Sequence, residues 1–164
     1  MTELPHQQLL SGLALASFRL NGQFLAVAED LTRPVGLTAA WWQVLGAVLP
    51  RPQPVADIAR DMGITRQAVQ RIANLLVDRG LAEYRPNPAH RRAKLVAATE
   101  EGRRAVRRID PAHRAFARRL TRELDPDELA STLQAMHRLS AVLDRLAAPD
   151  AVADTAGRSP DYEA

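Results

Sequence analysis

The sequence predicts a mainly α-helical fold, with a winged helix–turn–helix and its small β-hairpin set between long N- and C-terminal helices. Three observations predict it. Residues 55–80 read as two short helices about a glycine turn. Residues 81–99 read as two strands flanking a Pro- and Arg-rich tip. Apolar residues recur at helical spacing near both ends of the chain.

Residues 7 to about 30 form an amphipathic helix, with Leu13, Ser17, Leu20, Phe24 and Val27 recurring at threes and fours. Thr32-Arg-Pro-Val-Gly36 breaks it. Thr38 then caps a short helix, Ala39 to Leu49, holding Trp41, Trp42, Val44, Leu45 and Val48. Pro50, Pro52 and Pro54 make a stiff connector, and Pro54 is suited to opening the next helix.

In the helix–turn–helix, small Ala59 sits where two crossing helices must approach closely. Gly63 supplies the positive φ that a tight turn after a helix needs. Thr65 is a good N-cap for the second helix. In that helix Val69, Ile72, Ala73 and Leu76 repeat at i, i+3, i+4 and i+7, one buried face. After the hairpin, Thr99-Glu-Glu-Gly102 leads into a long helix carrying Val106, Ile109, Phe116, Leu120 and Leu124, with a kink or break expected near Asp110 because of Pro111. Asp125-Pro-Asp-Glu128 starts a final helix to Ala147, with Pro at N1 and acids at the positive end of the dipole. Pro149 ends it, and residues 149–164 are expected to be a disordered tail.

The exposed side of the second helix of the motif carries the chemistry. At about 100° per residue, Arg66, Gln67, Gln70, Arg71 and Asn74 fall within an arc of roughly 140°. Arginine can fork onto guanine O6 and N7, and Asn or Gln onto adenine N6 and N7, so this stripe suits a DNA major groove. A solvated surface helix is the other reading of the same residues. Charge distribution favours the first. The net charge is +3, but residues 51–122 hold 17 basic and 7 acidic residues, while residues 123–164 hold 3 basic and 9 acidic ones. A basic middle coinciding with the motif is the footprint expected of a phosphate-binding surface.

Other function classes find little support. There is no cysteine, which excludes thiol redox sensing, disulfides and Cys-ligated metals. His6, His90, His113 and His137 are scattered without metal-ligand spacing, so no metal or cofactor is expected. No Gly-rich phosphate loop or nucleophile elbow is present, and the chain is not expected to be an enzyme. No apolar run approaches the roughly 20 residues of a membrane span, and the N-terminus lacks the basic start and apolar core of a signal peptide. A cytoplasmic protein without membrane contact is the expectation. A winged-helix protein-interaction module is the alternative function, since the fold serves both purposes.

Four stretches resemble the MarR family of bacterial transcriptional regulators. Leu37-Thr-Ala-Ala-Trp-Trp-Gln-Val-Leu45 is similar to the family's second-helix pattern. Asp57-Ile-Ala-Arg-Asp-Met-Gly-Ile-Thr65 and Leu76-Val-Asp-Arg-Gly-Leu81 resemble its helix–turn–helix and the exit to the wing. Asn87-Pro-Ala-His-Arg-Arg-Ala-Lys-Leu-Val-Ala-Ala-Thr-Glu-Glu-Gly102 resembles its wing, with paired basics followed by Leu, Thr and Gly. One position departs from the pattern: His90 stands where an acid that helps hold the wing usually precedes the basics.

The resemblance implies a homodimeric repressor on pseudo-palindromic double-stranded operators, with the second helix of the motif in the major groove and a wing arginine in the flanking minor groove. Thr65, Arg66, Gln67, Gln70, Arg71 and Asn74 are then the major-groove residues, and Arg91 and Arg92 the wing residues. The terminal helices hold more apolar residues than a small winged domain needs for its core. Residues 1–36 are therefore read as an N-terminal dimerisation helix, 37–99 as the DNA-binding domain and 100–148 as C-terminal dimerisation helices, with a monomeric six-helix bundle as the other reading. Many members release DNA when a small aromatic or phenolic anion binds between the dimer helices and the winged domain. Here Phe18, Trp41 and Trp42 would line such a site and Arg19 would pair with the acid. For Trp42 core packing, and for Trp41 packing at a helix junction, is the other reading.

Overall fold

The computed structural model describes residues 5–147. The expected tail, 149–164, lies outside them, as does residue 148. The chain divides into two compact units, before and after the Phe116–Ala117 junction.

In the first unit, helix α1 (His6–Thr32) is followed by a 3₁₀ turn at Arg33–Val35 and by helix α2 (Ala39–Val48). The turn ends at Gly36, whose φ is 74°. The N-terminus of α2 is satisfied twice. Thr38 Oγ1 accepts from the Trp41 amide, as the sequence predicts, and Glu29 Oε2 accepts from the Ala39 amide at 3.0 Å. The second bond ties α1 to α2 and places a carboxylate at the positive end of a helix dipole. Thr32, fully buried, turns its hydroxyl back onto the carbonyls of Ala28 and Glu29.

The proline connector does more than stiffen the chain. Gln53–Pro54 forms strand β1, which pairs antiparallel with β3 (Leu95–Ala98), and β3 pairs with β2 (Ala82–Arg85). The expected two-stranded hairpin is therefore part of a three-stranded sheet of order β1-β3-β2. Pro54 is tolerated because β1 is an edge strand, where no amide donor is needed on the outer side.

Helices α3 (Val55–Met62) and α4 (Arg66–Asp78) make the helix–turn–helix. Gly63, at φ 64°, closes α3: its amide donates to the Arg60 carbonyl and the Ile64 amide to that of Ala59, a Schellman stop. Thr65 Oγ1 accepts from the Ala68 amide and caps α4. Val69, Ile72, Ala73 and Leu76 are buried against Val44, Leu45, Val48, Ile58 and Val96 in one core.

Helix α5 (Glu100–Arg107) completes that core with Ala105 and Val106, and Ile109 follows it into the interior. The expected break falls at residues 108–109, before α6 (Asp110–Glu123), with Pro111 in the first turn of α6, where its missing amide proton costs nothing. Arg103 donates to the Leu49 carbonyl at 2.9 Å, fastening α5 to the end of α2.

In the second unit, helix α7 (Pro126–Ala147) starts as predicted at Pro126. Glu128 accepts from the Asp125 amide and Asp125 from the Asp127 amide. Leu133, Met136, Leu143 and Leu146 on α7 are all exposed. Among the described residues no helix is long and apolar enough to cross a membrane.

Candidate nucleic-acid interface

The side of α4 opposite the core is open along its length. Thr65, Arg66, Gln67, Gln70, Arg71 and Asn74 are all exposed, so the polar stripe read from the sequence is a physical surface. Next to it stands the wing. A concave groove of about 560 Å³ is lined by Arg66, Gln67 and Gln70 from α4, Tyr84 from β2, and Arg92 and Lys94 from the wing. Ala93 of the wing and the β1–α3 junction, Pro54 to Ala56, complete its wall. Three cations and no carboxylate line it, which suits a polyanion.

The wing tip is held by turns rather than by an acid. Asn87 Oδ1 accepts from the Ala89 amide at 3.0 Å, the Asn87 carbonyl accepts from the His90 amide, and the His90 carbonyl accepts from the Ala93 amide. His90 thus contributes its backbone to the tip, and its departure from the family pattern leaves the turns intact. At the base of the wing Arg85 pairs with Glu83 at 2.6 Å. At its tip Arg91 and Arg92 are exposed, and neither meets a carboxylate among the described residues. The same holds for Arg66 and Arg71, whereas Arg60, Arg104 and Arg107 are engaged by acids.

Tyr84 is the residue that sequence reasoning missed. It sits on β2 opposite Val96, half-buried against the core. Its hydroxyl accepts from Gln70 Nε2 at 2.6 Å and donates to Asn74 Oδ1 at 2.5 Å, while Gln70 Nε2 lies 3.0 Å from Asn74 Oδ1. Burial pushes the hydroxyl above the usual phenol range, the Gln70 hydrogen bond partly opposes this, and the Asp78 charge adds to it. The group is a neutral phenol at physiological pH. The Lys94 ammonium lies 5.8 Å from the ring centroid. The alternating strand pattern places an aromatic here, but nothing local says that it would meet a helix residue fourteen positions earlier.

The four residues named for an effector are spread over two helices. Phe18, 73% exposed, and Arg19 lie on the outward part of α1, roughly 16 Å along the axis from Glu29, where α1 is tied to α2. Trp41 and Trp42 are both half-buried against the core. Trp42 meets the His113 ring edge-on at 5.2 Å, and the Arg79 guanidinium stacks 5.3 Å from the Trp41 centroid. No three His, Asp or Glu gather into a metal-binding group among the described residues.

Comparison with known proteins converges on one family. A family model described as MarR family matches residues 35–93, which span α2 to the wing tip. An uncharacterized protein of Mycobacterium tuberculosis is 40% identical over 126 residues, covering 77% of this chain and 88% of its own. Among solved structures, the transcriptional repressor CouR bound to a 23-mer DNA duplex is 26% identical with a TM-score of 0.68, over 85% of this chain and 99% of that one. CouR from Rhodococcus jostii bound to p-coumaroyl-CoA is 27% identical with a TM-score of 0.59, over 84% and 92%. A mutant MarR of E. coli complexed with operator DNA shares the fold, with a TM-score of 0.69 at 20% identity over 83% and 99%. The groove between α4 and the wing, the matched segment that builds it and these likenesses agree, and the chain belongs to the MarR family of winged-helix transcription regulators.

Proposed function

We propose that this protein is a sequence-specific repressor that binds a pseudo-palindromic operator as a homodimer in the cytoplasm. The observation that carries the proposal is the acid-free groove joining Arg66, Gln67 and Gln70 to Arg92 and Lys94. In this reading α4 enters the major groove, with Thr65, Arg66, Gln67, Gln70, Arg71 and Asn74 on base edges and phosphates. Arg92 reaches the flanking minor groove, where a narrow A·T stretch concentrates negative potential, and Arg91 supports it from the phosphate side. CouR, bound to a DNA duplex, supports the same use of the fold.

Dimerisation gives the exposed apolar residues a purpose. Leu10, Leu13, Phe18 and Phe24 on α1 are left at 49–73% exposure, and Leu133, Met136, Leu143 and Leu146 on α7 are open as well. In the proposed division of labour, 1–36 and 100–148 are the dimerisation segments and 37–99 binds DNA. A two-fold pair would present two recognition helices to half-sites about 34–36 Å apart.

The test is selection of bound duplexes from a randomised pool, followed by affinity measurements against salt. An inverted repeat with a spacing near one helical turn, a steep salt dependence and a dimer by sedimentation are the expected results. A monomer, or binding indifferent to sequence, overturns the proposal.

A second reading adds an effector. It is favoured by Trp41, which keeps part of its ring open on α2 with a guanidinium against it, and by CouR, solved with both DNA and p-coumaroyl-CoA. An aromatic acid at Trp41 would then release the operator.

A further inference from the structure

We propose that Tyr84 is a specificity-determining residue that fixes Gln70 and Asn74 in opposite hydrogen-bonding polarity, one reading base donors and the other base acceptors. This rests on the DNA-binding reading above and deepens it. An isolated Gln or Asn presents a carbonyl and an amino group side by side, which is why either can fork onto adenine. Here the two amides are not isolated.

Asn74 Oδ1 accepts from the Tyr84 hydroxyl and from Gln70 Nε2, so both of its lone pairs are engaged and only Nδ2 remains for a partner outside. Gln70 turns Nε2 toward the tyrosine, and Oε1, on the other arm of the amide, has no partner among the described residues. The phenol closes the triangle because it accepts from one amide while donating its single proton to the other. A phenylalanine could do neither.

The consequence is a split code. Gln70 presents an acceptor and selects a base edge that donates in the major groove, adenine N6 or cytosine N4. Asn74 presents donors and selects an accepting edge, guanine O6 and N7 first, with thymine O4 or adenine N7 offering a single acceptor and cytosine none. The two residues are one helical turn apart, about 6 Å along α4, so the selected positions should lie about two base pairs apart in each half-site. Tyr84 touches no base in this account. It acts through the two amides.

The experiment is parallel selection from randomised duplexes with the full-length wild type and with Tyr84→Phe, which keeps the ring that packs on the core and under Lys94. Thermal unfolding, the sedimentation profile and affinity for random DNA at several salt concentrations accompany it. The wild type should prefer adenine or cytosine over guanine and thymine at one position, and guanine over cytosine at the other. In Tyr84→Phe both preferences should fall together by about five-fold or more, the scale of one good base contact, a larger loss than any in affinity for random DNA. The proposal is overturned if the variant keeps both preferences, if it loses affinity equally on all DNA, or if the wild-type preferences have the reverse polarity. A wild type with no preference at any position sinks the regulator reading itself, whereas a selective wild type matched by its variant sinks only the role of Tyr84.

Discussion

Gly102, in the first turn of α5, lies directly beneath the Leu81 carbonyl, and a Cβ built on it would overlap that oxygen. Leu45 closes the space on the side-chain side at 3.3 Å. The same carbonyl accepts from the Thr99 amide, and Thr99 reaches across to the Gly80 carbonyl. The wing's base and the start of α5 therefore share one tight corner. Gly102→Ala should cost about 1–3 kcal/mol through overpacking, although alanine is the better helix former. Gly46→Ala in α2, where nothing lies within 4 Å, is the control and should be neutral or stabilising. Thermal unfolding of both variants measures the difference, and equal midpoints would contradict this packing.

Arg92 at the wing tip is expected to matter for a small part of the operator. Arg92→Ala should weaken binding by about 1–3 kcal/mol and flatten discrimination at flanking A·T pairs. Competition with duplexes altered only at the flanks reads this out. Unchanged flank preference would remove Arg92 from the minor groove.

Arg71 extends the exposed stripe of α4 beyond the residues that line the groove. Arg71→Ala should cost about 1–3 kcal/mol at particular base pairs and little elsewhere. Equal losses on operator and random DNA would assign it to phosphate alone.

Acidification should loosen the first turns of α5. The Arg107 guanidinium hydrogen-bonded to Glu100, with further cations nearby, holds that carboxyl below the usual carboxylate range; Arg104, followed by Arg108, does the same for Glu101. Groups whose folded pKa is depressed stabilise the fold fully above their unfolded pKa and lose that contribution as pH falls through the folded one. The thermal midpoint should thus drop more steeply below pH 4.5 in the wild type than in a Glu100→Gln, Glu101→Gln double variant. Parallel slopes would show that these exposed pairs contribute nothing.

If an aromatic acid binds at Trp41, titration with phenolic acids should quench tryptophan fluorescence saturably. The change should vanish in Trp41→Phe and persist in a variant altered at Trp42, whose ring is turned onto His113. A broad panel without response would leave Trp41 as packing for Arg79.

What the sequence by itself determined is whatever short-range physics controls. Helical period marked the buried face of α4 through Val69, Ile72, Ala73 and Leu76. Caps at Thr38 and Thr65, the left-handed Gly63 and the break at Pro111 set the boundaries of α2, α3, α4 and α6 to within a residue or two. The same period sorted Arg66, Gln67, Gln70, Arg71 and Asn74 onto one exposed stripe. Tertiary structure alone decided the partnerships that chain distance hides. Gln53–Pro54 became a strand because β3 offered it an edge, Glu29 capped a helix ten residues away, and Arg103 found a carbonyl on α2. Tyr84 met Gln70 and Asn74 for the same reason: periodicity and capping act within a turn or two, whereas a hydrogen bond between a strand and a helix exists only after both have packed on a common core.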